Sequence, residues 1–98
     1  MRIDTKLKIE KQYFRQVAMN NKMFEIRENR DRDFKVGQYV LLEEIDASGE
    51  LTGEAILVKI TYVTDYEQKE GYVVFSFQVE VYWWKRILQY YLQSFQHY

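Results

Sequence analysis

The spacing of apolar residues along this chain switches between two repeats, and the switch points outline its elements. From Ile3 to Ile9 the order Ile-Asp-Thr-Lys-Leu-Lys-Ile alternates with period two, which predicts a short strand with Leu7 and Ile9 turned inward. At Glu10 the period lengthens. Tyr13, Phe14, Val17 and Ala18 then share one face of a helix of about three turns. Asn20 and Asn21 end it, because Asn is the non-glycine residue that best tolerates the left-handed conformation at a helix C-terminus. Lys22 to Glu28 returns to period two, with Phe24 and Ile26 as apolar anchors on one side and Met23, Glu25 and Arg27 on the other.

The second half of the chain is richer in strands. Asn29 to Lys35 reads as a polar loop around one apolar residue, Phe34, and Gly37 supplies a turn. Gln38 to Ile45 is apolar on both faces, the pattern of a central strand covered on each side. After the turn Asp46-Ala47-Ser48-Gly49, a long strand from Glu54 to Thr64 places Ile56, Val58, Ile60 and Tyr62 on one face. A charged loop, Asp65 to Gly71, leads to a strand from Tyr72 to Tyr82 with Val73, Phe75, Phe77, Val79 and Val81 inside. Trp83 to Tyr98 returns to helical spacing. Trp84, Ile87, Leu88, Tyr91, Leu92 and Phe95 lie on one side and Gln-rich polar residues on the other. The expectation is an α+β fold: a small mixed β-barrel of five strands, an early helix and a C-terminal amphipathic helix.

Composition narrows the class. With 98 residues there is room for one domain, 1–98, around one core. Nine Tyr, six Phe and two Trp suit a small domain that must bury area efficiently, and they also offer rings on which bases stack. The formal net charge of -1 lacks the basic excess of a sequence-independent nucleic-acid binder. Any such binding must rest on a local patch. The chain has no Cys, and its one His stands at position 97, so disulfides, thiol chemistry and a Cys- or His-based metal site are not expected. No cofactor is expected either. The apolar runs are too short for a signal peptide or a membrane span, so a cytoplasmic location without membrane contact is the expectation.

Charge is densest between Lys22 and Gly37. From Arg15 to Lys35 there are six cationic side chains against four carboxylates. The segments KIEKQYFRQV, KMFEIRENRDRDFKVG, LLEEID, LTGEAILVKITYV and EGYVVFSF together resemble a small bacterial and phage family of the ASCH group, within the PUA-like β-barrels. The resemblance covers about residues 7–77 and leaves 83–98 as a helical extension. It implies a barrel with flanking helices, a cleft beside the early helix and RNA binding, with hydrolysis of acylated nucleosides such as acetylcytidine in some members. The chain departs from that pattern at several points. Asn20-Asn21 precedes the motif lysine, Lys22, where Gly is usual, and Met23 replaces Thr. Glu25 occupies the position of the threonine nucleophile in the hydrolytic members, Arg30 looks inserted, and Gly37-Gln38 stands for Gly-Asp. Thr5 or Lys6 stands where a His is common. These changes weigh against enzyme chemistry more than against the fold.

Lys22, Glu25, Arg27 and Arg32 are therefore the candidate ligand-binding residues, for RNA or a nucleotide-like ligand. Lys22 offers an ammonium to a phosphate, and Arg27 and Arg32 offer planar donor forks. Glu25 accepts from a base edge or moves a proton. Lys22 and Glu25 are also the candidates for catalysis in the amidohydrolase-like alternative. Each has a plainer reading, as a solvated lysine, an exposed ion pair or a loop arginine flanked by aspartates. A third possibility is a protein-interaction domain, with a homodimer seam along Trp83–Tyr98 covering its apolar face.

Overall fold

The computed structural model describes residues 2–83, and the elements follow the periodicity closely. They are β1 (Thr5–Glu10), α1 (Lys11–Ala18), β2 (Phe24–Glu28), β3 (Tyr39–Ile45), β4 (Leu51–Thr64) and β5 (Tyr72–Trp83). The strands form one sheet in the order β1-β3-β4-β5-β2, curled into a half-barrel. β3, β4 and β5 make an antiparallel meander, β1 lies parallel to β3 at one edge, and β2 lies antiparallel to β5 at the other. Among the described residues β1 and β2 are not paired, so the barrel is not closed through its backbone. β5 runs through Trp83. The remainder of the amphipathic helix expected over Trp83–Tyr98, and the homodimer seam assigned to it, lie outside the described residues.

The concave side of the sheet holds the main core. Leu7 and Ile9 from β1, Val40 and Leu42 from β3, Ile56, Val58 and Ile60 from β4, and Val73, Phe75 and Phe77 from β5 meet Phe14 and Val17 of α1. The helix is shorter than its apolar spacing suggests, at eight residues. Asn20 at φ 61° turns the chain out of it, and the N–H groups of Asn21 and Lys22 both donate to the Gln16 carbonyl, at 2.9 and 3.1 Å. β3 is apolar on both faces as expected. On its other side Leu41 joins Ala55 and Leu57 in a second cluster, against which Ile3, Tyr39 and Val81 pack.

Two bulges correct the simple alternation. In the β4–β5 ladder Leu57 faces Val81 and Val58 faces Val79, leaving Glu80 as an extra residue on β5. Beyond it the phase inverts: Val81, expected inside, joins the second cluster, and Tyr82 turns to the main core, its hydroxyl donating to the Ala18 carbonyl at 3.3 Å. Ile60 faces Phe77 and Tyr62 faces Ser76, so Thr61 is the extra residue on β4. Tyr62 is thereby exposed and Val63 packs on the core. A bulge adds local twist and bend, which is how a sheet this narrow curls. β4 also starts earlier than expected, at Leu51. Gly53 at φ 93° lets the strand pass the irregular register opposite Glu43 and Ile45. There the buried Glu44 accepts a hydrogen bond from Thr52 Oγ1 at 2.8 Å.

The loop from Asn29 to Gln38 is pegged to the core by Phe34, whose ring lies 4.7 Å from that of Phe75. Asn29 Oδ1 accepts from the Phe34 N–H at 2.8 Å, and the Asn29 N–H donates to Gly71 O at 2.8 Å. The capping in this loop thus falls to Asn29 rather than to Asp31 or Asp33. Truncating the peg, Phe34→Ala, is expected to cost about 3 to 5 kcal/mol, measured by urea unfolding.

Two surface carboxylates make stability fall in acid. The Ser48 hydroxyl and the Glu50 N–H hold the Asp46 carboxyl below the usual carboxylate range, and the Tyr39 N–H does the same for Asp4, aided by Arg2. A carboxyl lowered in the folded state stabilises it above the ordinary value of about 3.9, and that contribution is lost as pH falls through the folded value. The urea midpoint is expected to drop on acidification below about pH 5. The drop should be smaller in Asp46→Asn, whose amide oxygen retains the turn.

Candidate functional site

The two edge strands face each other across the open side of the half-barrel, and every candidate residue lies along that seam. In β2 the binary pattern is the reverse of the one expected. Glu25 is buried at 7% exposure opposite Phe75, while Phe24 and Ile26, read as inward anchors, are 43% and 50% exposed. Apolar burial alone would have put the two apolar side chains of the strand, Phe24 and Ile26, inside. A carboxylate is tolerated there only because it is paired, since an unpaired buried charge is costly.

Its partners are the two neighbouring cations. Glu25 Oε1 lies 3.0 Å from Lys22 Nζ, and Oε2 lies 3.7 Å from Arg27 Nε. The ammonium gives its aligned hydrogen bond elsewhere, to the Phe24 carbonyl at 2.7 Å, so Oε1 accepts no aligned hydrogen bond although it sits within ion-pair distance. Lys22 Nζ also stands 4.9 Å from the centre of the Phe24 ring and 5.8 Å from that of Tyr13. Such a cation over two rings is held by their negative faces as well as by the carboxylate.

The same cations satisfy the backbone of the edges. Phe77 N–H donates to Met23 O at 3.1 Å and Asn29 N–H to Gly71 O at 2.8 Å. Antiparallel alternation therefore turns the N–H and C=O of Phe24, Ile26 and Glu28 away from β5, toward the seam. Lys22 takes the Phe24 carbonyl. Across the gap Arg27 Nη2 donates to Lys8 O at 3.1 Å and Arg32 Nη1 donates to Lys6 O at 3.0 Å, both on β1. Side chains thus span the place where a closed barrel would have a backbone ladder.

Beside these contacts the surface is hollow. A space of about 300 Å³ is lined by Tyr13, Lys22, Phe24, Glu25 and Ile26. A second, of about 370 Å³, shares Tyr13, Glu25 and Ile26 and reaches Lys8 and Arg27. A third, of about 390 Å³, continues past Ile26 and Arg27 to Asp31, Arg32 and Tyr72. Glu25 lines both of the first two, Lys22 lines the first and Arg27 the second, and Arg32 stands in the third. Among the described residues no group of His, Asp and Glu side chains is placed to hold a metal ion, and no helix is long and apolar enough to cross a membrane.

The sequence model of the DUF3850 family, described as a domain of unknown function, matches residues 5–77. The chain belongs to that family. No curated protein matches it. In this DUF3850 domain the matched stretch holds the whole seam: β1, α1, β2, the loop that carries Arg32, and the part of β5 that backs β2.

Tyr13 was read as part of the buried helix face and is instead 47% exposed, forming a wall of the first hollow. Its signal was the position ahead of Phe14, where the apolar stripe is widest. Arg30, the residue that looks inserted, packs against Gly71. A Cβ at that glycine would stand 2.7 Å from Arg30 Nε, and its φ of 82° also disfavours a side chain.

The capping geometry sets an order of effects. Arg27→Ala removes a charged hydrogen bond to β1 and one partner of the buried Glu25; Arg32→Ala removes a hydrogen bond alone. Urea unfolding is expected to show a loss of about 1.5 to 3 kcal/mol for the first and a smaller loss for the second.

Proposed function

We propose that this DUF3850 chain is an ASCH-type, PUA-like domain that binds RNA or a nucleotide-like ligand in the two adjoining hollows that meet at Glu25, one lined by Lys22 and the other by Arg27. The observation that carries the reading is the buried Glu25 in contact with both cations at an open, solvent-reaching surface. Binary patterning would place an apolar residue there, and a charged residue kept at a buried position beside a hollow is best explained by what it recognises. Further support comes from the curled mixed sheet with its early helix beside the hollow, which agrees with the resemblance. Two exposed rings, Tyr13 and Phe24, flank the charges and suit base stacking. Arg27 and Lys22 each keep N–H groups beyond those used in the contacts described, because a guanidinium carries five and an ammonium three.

A second reading, hydrolysis of an acylated nucleoside, draws on the 3.0 Å contact between Lys22 and Glu25. Water would have to be the nucleophile, since Glu25 stands where the hydrolytic relatives carry threonine. The ammonium is also directed at the Phe24 carbonyl rather than at open space. Binding is the better-supported function.

Nuclear magnetic resonance titration with nucleoside monophosphates and short RNAs tests it. Amide shifts are expected to cluster between Lys22 and Lys35, with affinity falling about tenfold or more in Glu25→Gln and in Lys22→Met, the loss expected for a charged hydrogen bond. An absence of shifts in that stretch would overturn the proposal. Turnover of acylated nucleosides that disappears in Lys22→Met would instead favour the hydrolase.

A further inference from the structure

The three hollows along the seam share walls, and together they follow β2 from one end to the other. Tyr13 and Phe24 stand at the start, Ile26 and Arg27 in the middle, and Arg32 and Tyr72 at the far end. From Phe24 to Glu28 the strand advances about 14 Å. A mononucleotide occupies only part of such a trough. The geometry points to an extended occupant, and we infer that it is a single-stranded nucleic acid lying along the seam, with one base against Tyr13 and Phe24 and another against Tyr72. This rests on the reading of the hollow as a nucleotide site and specifies its ligand.

The choice of nucleic acid over an extended peptide follows from the state of the two edges. A peptide strand joining a sheet needs free acceptors as well as free donors on the edge it meets. Here the carbonyls of Phe24, Lys8 and Lys6 already accept from Lys22, Arg27 and Arg32. An added strand would have to displace three cations from hydrogen bonds at 2.7 to 3.1 Å. A nucleic acid leaves those bonds in place. It takes the unused N–H groups of the same guanidinium forks through its phosphates, and the exposed rings of Tyr13 and Phe24 and the half-buried ring of Tyr72 through its bases.

Charge along the trough limits how that ligand is held. Lys8, Lys22, Arg27 and Arg32 are balanced by Glu10, Glu25, Glu28 and Asp31. The seam therefore neutralises few phosphates, and stacking supplies the larger share of affinity. The 14 Å of strand matches roughly four nucleotides at the 3.4 Å rise of a stacked strand, and fewer when the strand is stretched.

Fluorescence anisotropy with labelled single-stranded RNAs of one, two, four and eight nucleotides tests this on the full chain. Affinity is expected to rise up to about four nucleotides and then level off, with a slope of log K against log salt of only about -0.7 to -1.4, corresponding to one or two phosphates. Tyr72→Ala and Phe24→Ala, at opposite ends, are each expected to weaken the tetranucleotide about 5- to 100-fold, with circular dichroism confirming that they fold. A mononucleotide that binds as tightly as the octamer would overturn the trough while leaving the nucleotide hollow standing. No binding at any length would overturn both. Preference for a duplex of the same sequence, or competition by an extended peptide at equal concentration, would overturn the single-stranded assignment.

Discussion

An open sheet leaves two rows of backbone groups without partners, and this fold brings both rows to the same place. Among the described residues β1 and β2 are the outermost strands of the half-barrel, and the gap between them is not bridged by a ladder. Edge carbonyls left bare attract other chains or incur the penalty of partial burial without a partner. In this domain long cationic side chains meet them from the opposite side: Arg27 and Arg32 reach Lys8 and Lys6, and Lys22 folds back onto Phe24. Glu25 is the counter-charge that makes the arrangement stable, since it touches both Lys22 and Arg27 from a buried position.

The rest of the fold is arranged to hold those side chains at the gap. Asn20 turns the chain sharply after α1, so Lys22 arrives beside the helix rather than beyond it. Phe34, pressed on Phe75, fixes the loop that carries Arg32, and Asn29 ties the start of that loop to Gly71, just ahead of β5, and to Phe34. The bulges at Thr61 and Glu80 bend the long β4–β5 pair, and the curl they add brings the edges within reach of each other. Without that curl an arginine side chain could not span from one edge to the other.

Much of this was legible in the sequence, and the failures have two causes. The order and type of every described element followed from the switch between periods two and 3.6; Leu7, Ile9, Phe14, Val17 and Phe75 are buried as their spacing implies, and Phe34 as the lone apolar residue of its loop. Val81 and Tyr62 were misplaced because a bulge adds one residue and flips each side chain beyond it, and no composition marks Thr61 or Glu80 as bulges. β2 was inverted for a different reason. Phe-Glu-Ile-Arg alternates equally well either way up, and only the pairing of Glu25 with cations decides which face goes in. The candidate set Lys22, Glu25 and Arg27 came from charge density and the resemblance. What neither could reveal is that these cations also cap the backbone, because that depends on which edges the strand order leaves open.

On the proposed function, that double duty bears directly on recognition. A guanidinium bound through one nitrogen to a fixed carbonyl has lost most of its rotational freedom, so its remaining donors are already oriented when a ligand arrives. The entropy of ordering the side chain is then met in folding rather than in binding. The same argument explains why a nearly neutral seam can still discriminate. With few phosphates to neutralise, an oligonucleotide gains little from charge alone, and duplex or polyanionic competitors gain no more. On that proposal, what would separate ligands is whether their planar groups meet Tyr13, Phe24 and Tyr72 while their anionic groups meet donors that the fold has already aimed.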